Sequence, residues 1–306
     1  MTFLKSSIGS GILLVSTSYF VFTLHDAVIK LLVVDVGVWQ IIFFRSLTVL
    51  IACLVIGGRG FIPRVVRSPI VRPMMVRSVI LLAAWVSFYT AAKSLQLAEL
   101  TTIYYANPIV ATLLAIPVLA EKVPAVRWVA IILGFVGVVI AANPAGLTLS
   151  LPVGLALLAA ILWAIGSVLL RKTAMNEKTL VQMTLTNFFF VVMTFVMAVL
   201  TWQPVDLKSG ALLALVGILG GTAQATLFEA MRRAPVSVLA PFEYSSLIWA
   251  FVLGYAIWQD IPASNVAAGA ALIFCAGLLI VASERLAARR YRLAQPADGS
   301  DGPAGA

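Results

Sequence analysis

Charge is what this chain has least of. Only 11% of its 306 residues are charged and 62% are hydrophobic, against roughly 25% and about 45–50% in a soluble domain. A mean hydropathy of +1.06 leaves too little polar surface to coat a soluble core, so lipid must solvate most of the chain. Histidine occurs once, at His25, which is too few for the common zinc sites. Cys53 and Cys275 are the only cysteines. Each sits alone in an apolar run without CxxC spacing and reads as a small hydrophobic residue. No GxxxxGK[ST] phosphate loop occurs, so nothing points to ATP hydrolysis. No paired Asp-rich motif is present to hold magnesium and a diphosphate. No metal or cofactor is expected, and the chain is not expected to be an enzyme.

What the sequence does have is long apolar runs. Ten segments approach the roughly 20 residues that a hydrocarbon core requires: 8–33, 37–57, 74–95, 99–119, 126–143, 152–171, 179–201, 209–231, 236–258 and 264–283. The first lacks a small-x-small cleavage site and contains His25, Asp26 and Lys30, so it reads as a retained span. The breaks carry charge, proline or glycine and leave no room for a soluble domain. The net charge of +9 could suggest nucleic acid, yet the cations sit in short loops rather than among base-stacking aromatics. Arg59, Arg64, Arg67, Arg72, Arg77, Lys122, Arg127, Arg171, Lys172, Lys178, Arg232 and Arg233 fall on one side of the ten spans. Only Lys93 and Lys208 fall on the other. This asymmetry places both termini in the cytoplasm of a multi-pass cell inner (plasma) membrane protein.

The two halves resemble each other. Lys30, Gln40 and Arg45 fall on Lys172, Gln182 and Asn187 at one offset, and Asn107-Pro108 falls on Glu243-Tyr244 at another. The turns Glu121-Lys122-Val123-Pro124 and Gln259-Asp260-Ile261-Pro262 correspond as well. Five spans is an odd number, so the second copy must run inverted, as in secondary transporters whose substrate site lies between the halves. The expected fold is an all-α membrane protein of ten transmembrane helices in two inverted five-helix repeats. Residues 1–145 and 146–288 form the repeats and 289–306 a disordered cytoplasmic tail.

Ionisable groups inside spans cost about 2.5–3.5 kcal/mol each at mid-membrane, so those retained are candidates for function. Asp26 and Lys30 share one helix face at i and i+4 and serve either as a structural pair or in substrate and proton handling. His25 beside them is either a titrating group or a satisfied interior hydrogen-bonder. Arg45, amid the second span, suits a carboxylate from Asp26, Glu243 or a substrate. Glu243 and Tyr244, next to Pro241, correspond to Tyr105 and Asn107 next to Pro108. Proline-interrupted polar helices in equivalent places point to a transport site. Trp85, Tyr89 and Trp163 could line a cavity or simply pack. Gly134, Gly137, Gly269 and Gly277 make small faces that pair the halves or mediate a dimer.

Across residues 8–285 the chain resembles the EamA-type branch of the drug/metabolite transporter superfamily. The likeness rests on the paired five-span repeats, on Lys30 followed by Phe43-Phe44-Arg45-Ser46, on Ala240-Pro241 with Glu243-Tyr244, and on the acidic turns at Glu121 and Asp260. Asp26 with Lys30 and the stretch 240–244 are most similar to the subset of S-adenosylmethionine and riboflavin uptake carriers. Asn107-Pro108 and Glu243-Tyr244 depart from the family's usual Glu-Pro pair. The resemblance implies alternating access without cofactor or ATP, in a monomer or homodimer. The expected function is secondary transport of a small polar or aromatic metabolite (amino-acid-like, nucleoside-like or vitamin-like), proton-coupled or by exchange. An intramembrane enzyme or a non-transporting scaffold is the alternative.

Overall fold

Gly37 adopts an extended conformation (φ −63°, ψ 139°) that ends one apolar run and starts the next. Gly58 and Gly60 turn the chain again with φ of 65° and 83°, a left-handed region where a side chain would be strained. Between such breaks the apolar runs coil into helices, because only a helix satisfies every backbone group within one segment in lipid. The computed structural model describes residues 2–107, 110–111, 113–114, 125–142, 150–173, 177–233 and 242–294. Its elements are α1 (Thr2–Leu32), α2 (Val38–Gly57), α3 (Phe61–Val66), α4 (Val71–Ala92), α5 (Leu97–Tyr104), α6 (Ala125–Ala142), α7 (Leu151–Thr173), α8 (Thr179–Leu200), α9 (Leu207–Arg233), α10 (Ser245–Trp258) and α11 (Ser264–Ala294). No strand occurs among the described residues.

Among the described residues, six helices are long and apolar enough to cross a membrane: Gly9–Leu32, Val38–Gly57, Val71–Ala92, Leu151–Leu170, Thr179–Leu200 and Leu207–Met231. Shorter apolar helices follow at Trp128–Ala141, Ser245–Trp258 and Ser264–Leu279. At a rise of 1.5 Å per residue, about 20 residues span a core of about 30 Å. Ile51, Val55, Ile132, Phe135, Phe188, Phe195 and Val252 are exposed on the outside of the bundle, as a lipid-facing surface requires. Hydroxyls within the helices bond back to the preceding turn, as Thr101 does to Leu97 O at 2.7 Å and Thr194 to Phe190 O at 2.7 Å. In this way polar residues are tolerated in an apolar medium.

Three features differ from the sequence expectation, and a fourth follows it. Helix α3 occupies part of the loop read between Arg59 and Pro73, because Phe61 and Val65 dock against Val181 and Leu185 of α8. Arg77 is a buried helical residue rather than a loop charge, with Nε donating to Gly166 O at 3.0 Å. Helix α11 runs to Ala294, past the expected end of the second half at 288. As the polar stretches beside Pro108 and Pro241 lead one to expect, the spans 99–119 and 236–258 are each interrupted, by a turn at Tyr105–Ala106 and another at Tyr244. There the Tyr105 hydroxyl donates to Glu243 O and pairs with Ser246 Oγ, satisfying polar groups that a break in the helix exposes. Pro108, Pro241, the Glu121 turn and the tail beyond Ala294 lie outside the described residues.

The dominant helix contacts are α1 with α9, α4 with α7, α2 with α8 and α6 with α11. Secondary contacts join α2 with α9, α4 with α8, α1 with α10, and α5 with both α7 and α10. Close approach of α6 and α11 depends on Gly137. A Cβ there would lie 2.7 Å from Gly269 O and 2.9 Å from Ile273 Cγ1. The main-chain carbonyl cannot rotate away, so Gly137→Leu is expected to lower the Tm of the purified chain by several degrees. Overpacking of this kind costs about 1–3 kcal/mol.

At the end of the bundle that carries α3, Glu177 joins distant segments. It accepts from Arg64 Nη2 at 2.7 Å, Ser68 Oγ at 3.2 Å and the Lys178 N–H at 3.1 Å. Slight burial pushes its carboxyl up, but the Lys178 N–H, Arg64 and Ser68 outweigh that and hold it below the ordinary value of 4.5. A depressed carboxyl contributes stability above its unfolded pKa and loses it as pH falls through the folded one. The Tm difference between wild type and Glu177→Gln should therefore stay constant at neutral pH and close on acidification below 4.5.

Candidate functional site

Residues Tyr19, Phe22, Thr23 and Asp26 follow one another at i, i+3, i+4 and i+7 along α1, so they share one face. Trp85, Phe88 and Tyr89 do the same on α4. The two faces meet a third from α5, bearing Thr101 and Tyr104, and together they enclose a cavity with Arg45 of α2 and Trp163 of α7. Glu243 and Ser246 close it from the last third of the chain. The open volume is about 90 Å³. One water needs about 10–15 Å³ by the same measure, so there is room for several waters or a small polar group.

Arg45 is the charged centre. It lies near the middle of α2 and is 1% exposed. Its guanidinium lies 3.7 Å from the centroid of the Trp85 ring, a stacking that favours a planar cation. Its Nε donates to His25 Nε2 at 3.0 Å. The other imidazole nitrogen, Nδ1, is 2.9 Å from Asp26 Oδ1. The guanidinium can only donate, so Nε2 must accept and the ring proton sits on Nδ1, facing Asp26. Gly220 on α9 gives the guanidinium its space, since a Cβ there would lie 2.6 Å from Arg45 Nε.

Glu243 sits on the other side of the site. Its side chain accepts from Asn107 Nδ2, 3.5 Å from Oε1, and Tyr19 lines the same cavity. Tyr105 holds the Glu243 main chain instead, through its carbonyl. Around Arg45 and Glu243 runs an aromatic wall. Trp85 stacks with Tyr89 at 6.3 Å, Phe88 meets Tyr104 edge-on at 5.1 Å, and Tyr104 lies 6.3 Å from Trp163.

Of the sequence candidates, His25, Asp26, Arg45, Trp85, Tyr89, Tyr105, Trp163 and Glu243 line the cavity. Asn107 stands behind Glu243. Tyr244 packs on Tyr105 with centroids 5.4 Å apart and faces Gly277, so it supports the wall rather than forming it. Lys30 is elsewhere. Its ammonium donates to Leu95 O at 2.5 Å and lies 5.5 Å from the Trp258 ring, at the end of α1. The expected Asp26–Lys30 pair does not form, because the long lysine stem carries its charge toward the bundle end while Asp26 takes the nearer His25. Arg45 likewise bonds no carboxylate directly; the imidazole stands between it and Asp26. The sequence alone did not mark Tyr19, Phe22, Thr23, Ala84, Phe88, Thr101, Tyr104 or Ser246 as site residues. The helical spacing of the α1 and α4 stripes was the signal available.

The EamA-like transporter family matches this chain twice, over residues 9–143 and 150–282. The chain belongs to the EamA-like transporter family. It is 26% identical over 266 residues to the S-adenosylmethionine uptake transporter of Rickettsia bellii (strain RML369-C), covering 86% of this chain and 90% of that one. It is 25% identical over 275 residues to the pseudopaline exporter of Pseudomonas aeruginosa, covering 87% and 94%. A solved crystal structure superposes with a TM-score of 0.67 at 19% identity, covering 92% of this chain and 99% of that chain, which shows a shared fold. This EamA family member is thus a multi-pass membrane protein whose relatives are named for moving metabolites in either direction.

Proposed function

We propose that this EamA family protein is a secondary transporter that moves a small polar or aromatic metabolite across the cell inner membrane by alternating access, through the cavity between Arg45 and Glu243. The observation that carries this reading is the cavity itself. It draws a permanent cation and stacked aromatics from α1, α2, α4 and α5, and a carboxylate from the distant stretch before α10. Opposite charges flanked by aromatic faces suit an amino-acid-like solute that also bears a ring or a cationic group. A cavity of about 90 Å³ admits a larger metabolite only if helices move apart, as alternating access requires.

The proposed architecture is ten spans in two inverted repeats, residues 1–145 and 146–288. In it α5 and α10, with their continuations, are the fourth and ninth spans. The helix contacts support this arrangement. Exchanging the halves turns α1–α9 into α7–α4, α2–α9 into α8–α4 and α1–α10 into α7–α5, and maps α2–α8, α5–α10 and α6–α11 onto themselves. The close meeting of Gly137 with Gly269 favours the use of these small faces to join the halves. Exposed Arg59, Arg64, Arg67 and Arg72 near α3 support a cytoplasmic position for that end, and with it cytoplasmic termini. The relatives named for S-adenosylmethionine uptake and pseudopaline export support an organic metabolite as cargo, carried with proton coupling or by exchange.

A thermal-shift screen of the purified chain against metabolites tests this reading, since a binder stabilises the folded state in proportion to its concentration over its affinity. The expected result is a metabolite that raises Tm in wild type and leaves Glu243→Gln unchanged. A metabolite that stabilises both equally would place binding elsewhere.

A further inference from the structure

We propose that His25 is a neutral spacer that keeps Asp26 off Arg45 and so reserves the guanidinium for a carboxylate group on the transported solute. The proposal rests on the reading of the cavity as a substrate site. Its basis is the chain of contacts Arg45 Nε to His25 Nε2 at 3.0 Å and His25 Nδ1 to Asp26 Oδ1 at 2.9 Å. With one nitrogen accepting from arginine and the other donating to aspartate, the ring carries a single proton and no charge. A carboxylate next to an arginine ordinarily forms a bidentate pair that occupies the guanidinium donors. Here the imidazole occupies only Nε, and Arg45 Nη1 is buried without a hydrogen-bond partner among the described residues.

A buried charged donor left unmatched is costly, and such groups call for an explanation in a ligand or a strained state. The surroundings hold this one in place. Trp85 covers the guanidinium at 3.7 Å, and Gly220 leaves the space it fills. The two cavity carboxylates are engaged elsewhere: Asp26 by His25, and Glu243 by Asn107. Neither is placed to complete Arg45. A planar carboxylate entering the cavity would supply the missing acceptor, and the aromatic wall would take the body that carries it.

His25 is the only histidine, so an imidazole ¹⁵N spectrum of the full chain reports on it alone. At neutral pH the spectrum is expected to show a neutral ring protonated at Nδ1. A doubly protonated ring, or one protonated at Nε2, overturns the proposal. The second arm uses benzoate and its uncharged isostere benzamide as probes, with binding measured by calorimetry. Benzoate is expected to bind wild type and Asp26→Asn while benzamide does not. In His25→Ala, Asp26 is free to collapse onto Arg45 and benzoate should bind at least about 10-fold more weakly, as expected when a buried charged site is filled by an internal partner. His25→Ala/Asp26→Asn should recover that loss, which a purely structural role for the ring would not allow. Equal binding of benzoate and benzamide to wild type overturns the proposal, as does equally weak binding by the single and double variants. A metabolite transported without any benzoate binding would defeat the spacer and leave the transport reading standing. Benzoate binding that depends on Arg45, with no metabolite transported, would do the reverse.

Discussion

Glu243→Gln and Arg45→Ala are each expected to reduce transport by at least about 10-fold, as the loss of a charge-assisted hydrogen bond of about 1.5–3 kcal/mol implies. Insertion and folding should survive in the glutamine variant. Glutamine keeps the shape of the side chain, and Tyr105 holds residue 243 by its main-chain carbonyl rather than by its carboxylate. The effect should appear as a raised KM where the charge only binds substrate, and as a lowered maximal rate where it also drives the conformational cycle. Arg45→Ala should cost more. It removes the cation, vacates the space beside Trp85, and leaves His25 Nε2 without its donor. Truncating one member of a buried, hydrogen-bonded charged set costs roughly 2–5 kcal/mol. Arg45→Lys should recover little, because an ammonium offers neither the planar fork nor the stacking face.

Gly220→Ala is expected to disable the same site from outside it. Its new Cβ would lie 2.6 Å from Arg45 Nε, 2.9 Å from Nη2 and 3.0 Å from Cζ. Real Cβ contacts are not this short, so the guanidinium has to move. Trp85 lies against it at 3.7 Å and His25 holds its Nε, so any shift breaks the imidazole bond or pushes the head into the cavity. The expected outcome is a transport loss approaching that of Arg45→Ala, with a stability loss of about 1–3 kcal/mol. The two changes should not add. Gly220→Ala in the Arg45→Ala background should have little further effect on transport, because residues in contact couple strongly. Additive losses would show that the glycine acts on something other than Arg45.

Much of the helical plan was legible in the composition and in the spacing of charges and glycines. The long spans followed from apolar runs, and Arg45 and Glu243 were marked as costly groups inside them. Other features depended on contacts that periodicity cannot see. The i, i+4 spacing of Asp26 and Lys30 offered a pair, but the adjacent imidazole and the long lysine stem decided otherwise. Pro108 and Pro241 marked an interrupted, polar helix in both places, but no spacing marks the tyrosine hydroxyl that reaches across the fold to stabilise the breaks at Tyr105 and Tyr244. Gly220 is one glycine in Gly217-Ile218-Leu219-Gly220-Gly221. Its role depends on an arginine from another helix, and nothing local marks it. The stripe Tyr19, Phe22, Thr23 and Asp26 was readable, and extending it to all four positions would have placed α1 along the cavity.

The central claim is that solute passes through the cavity between Arg45 and Glu243. Counterflow in proteoliposomes without ATP tests it most directly, using the metabolite that stabilises the purified chain and comparing wild type with Glu243→Gln and Arg45→Lys reconstituted to equal density. The account predicts that wild type exchanges labelled metabolite across the bilayer and that both variants fall at least about 10-fold below it while remaining folded. Exchange at the wild-type rate in both variants would contradict it.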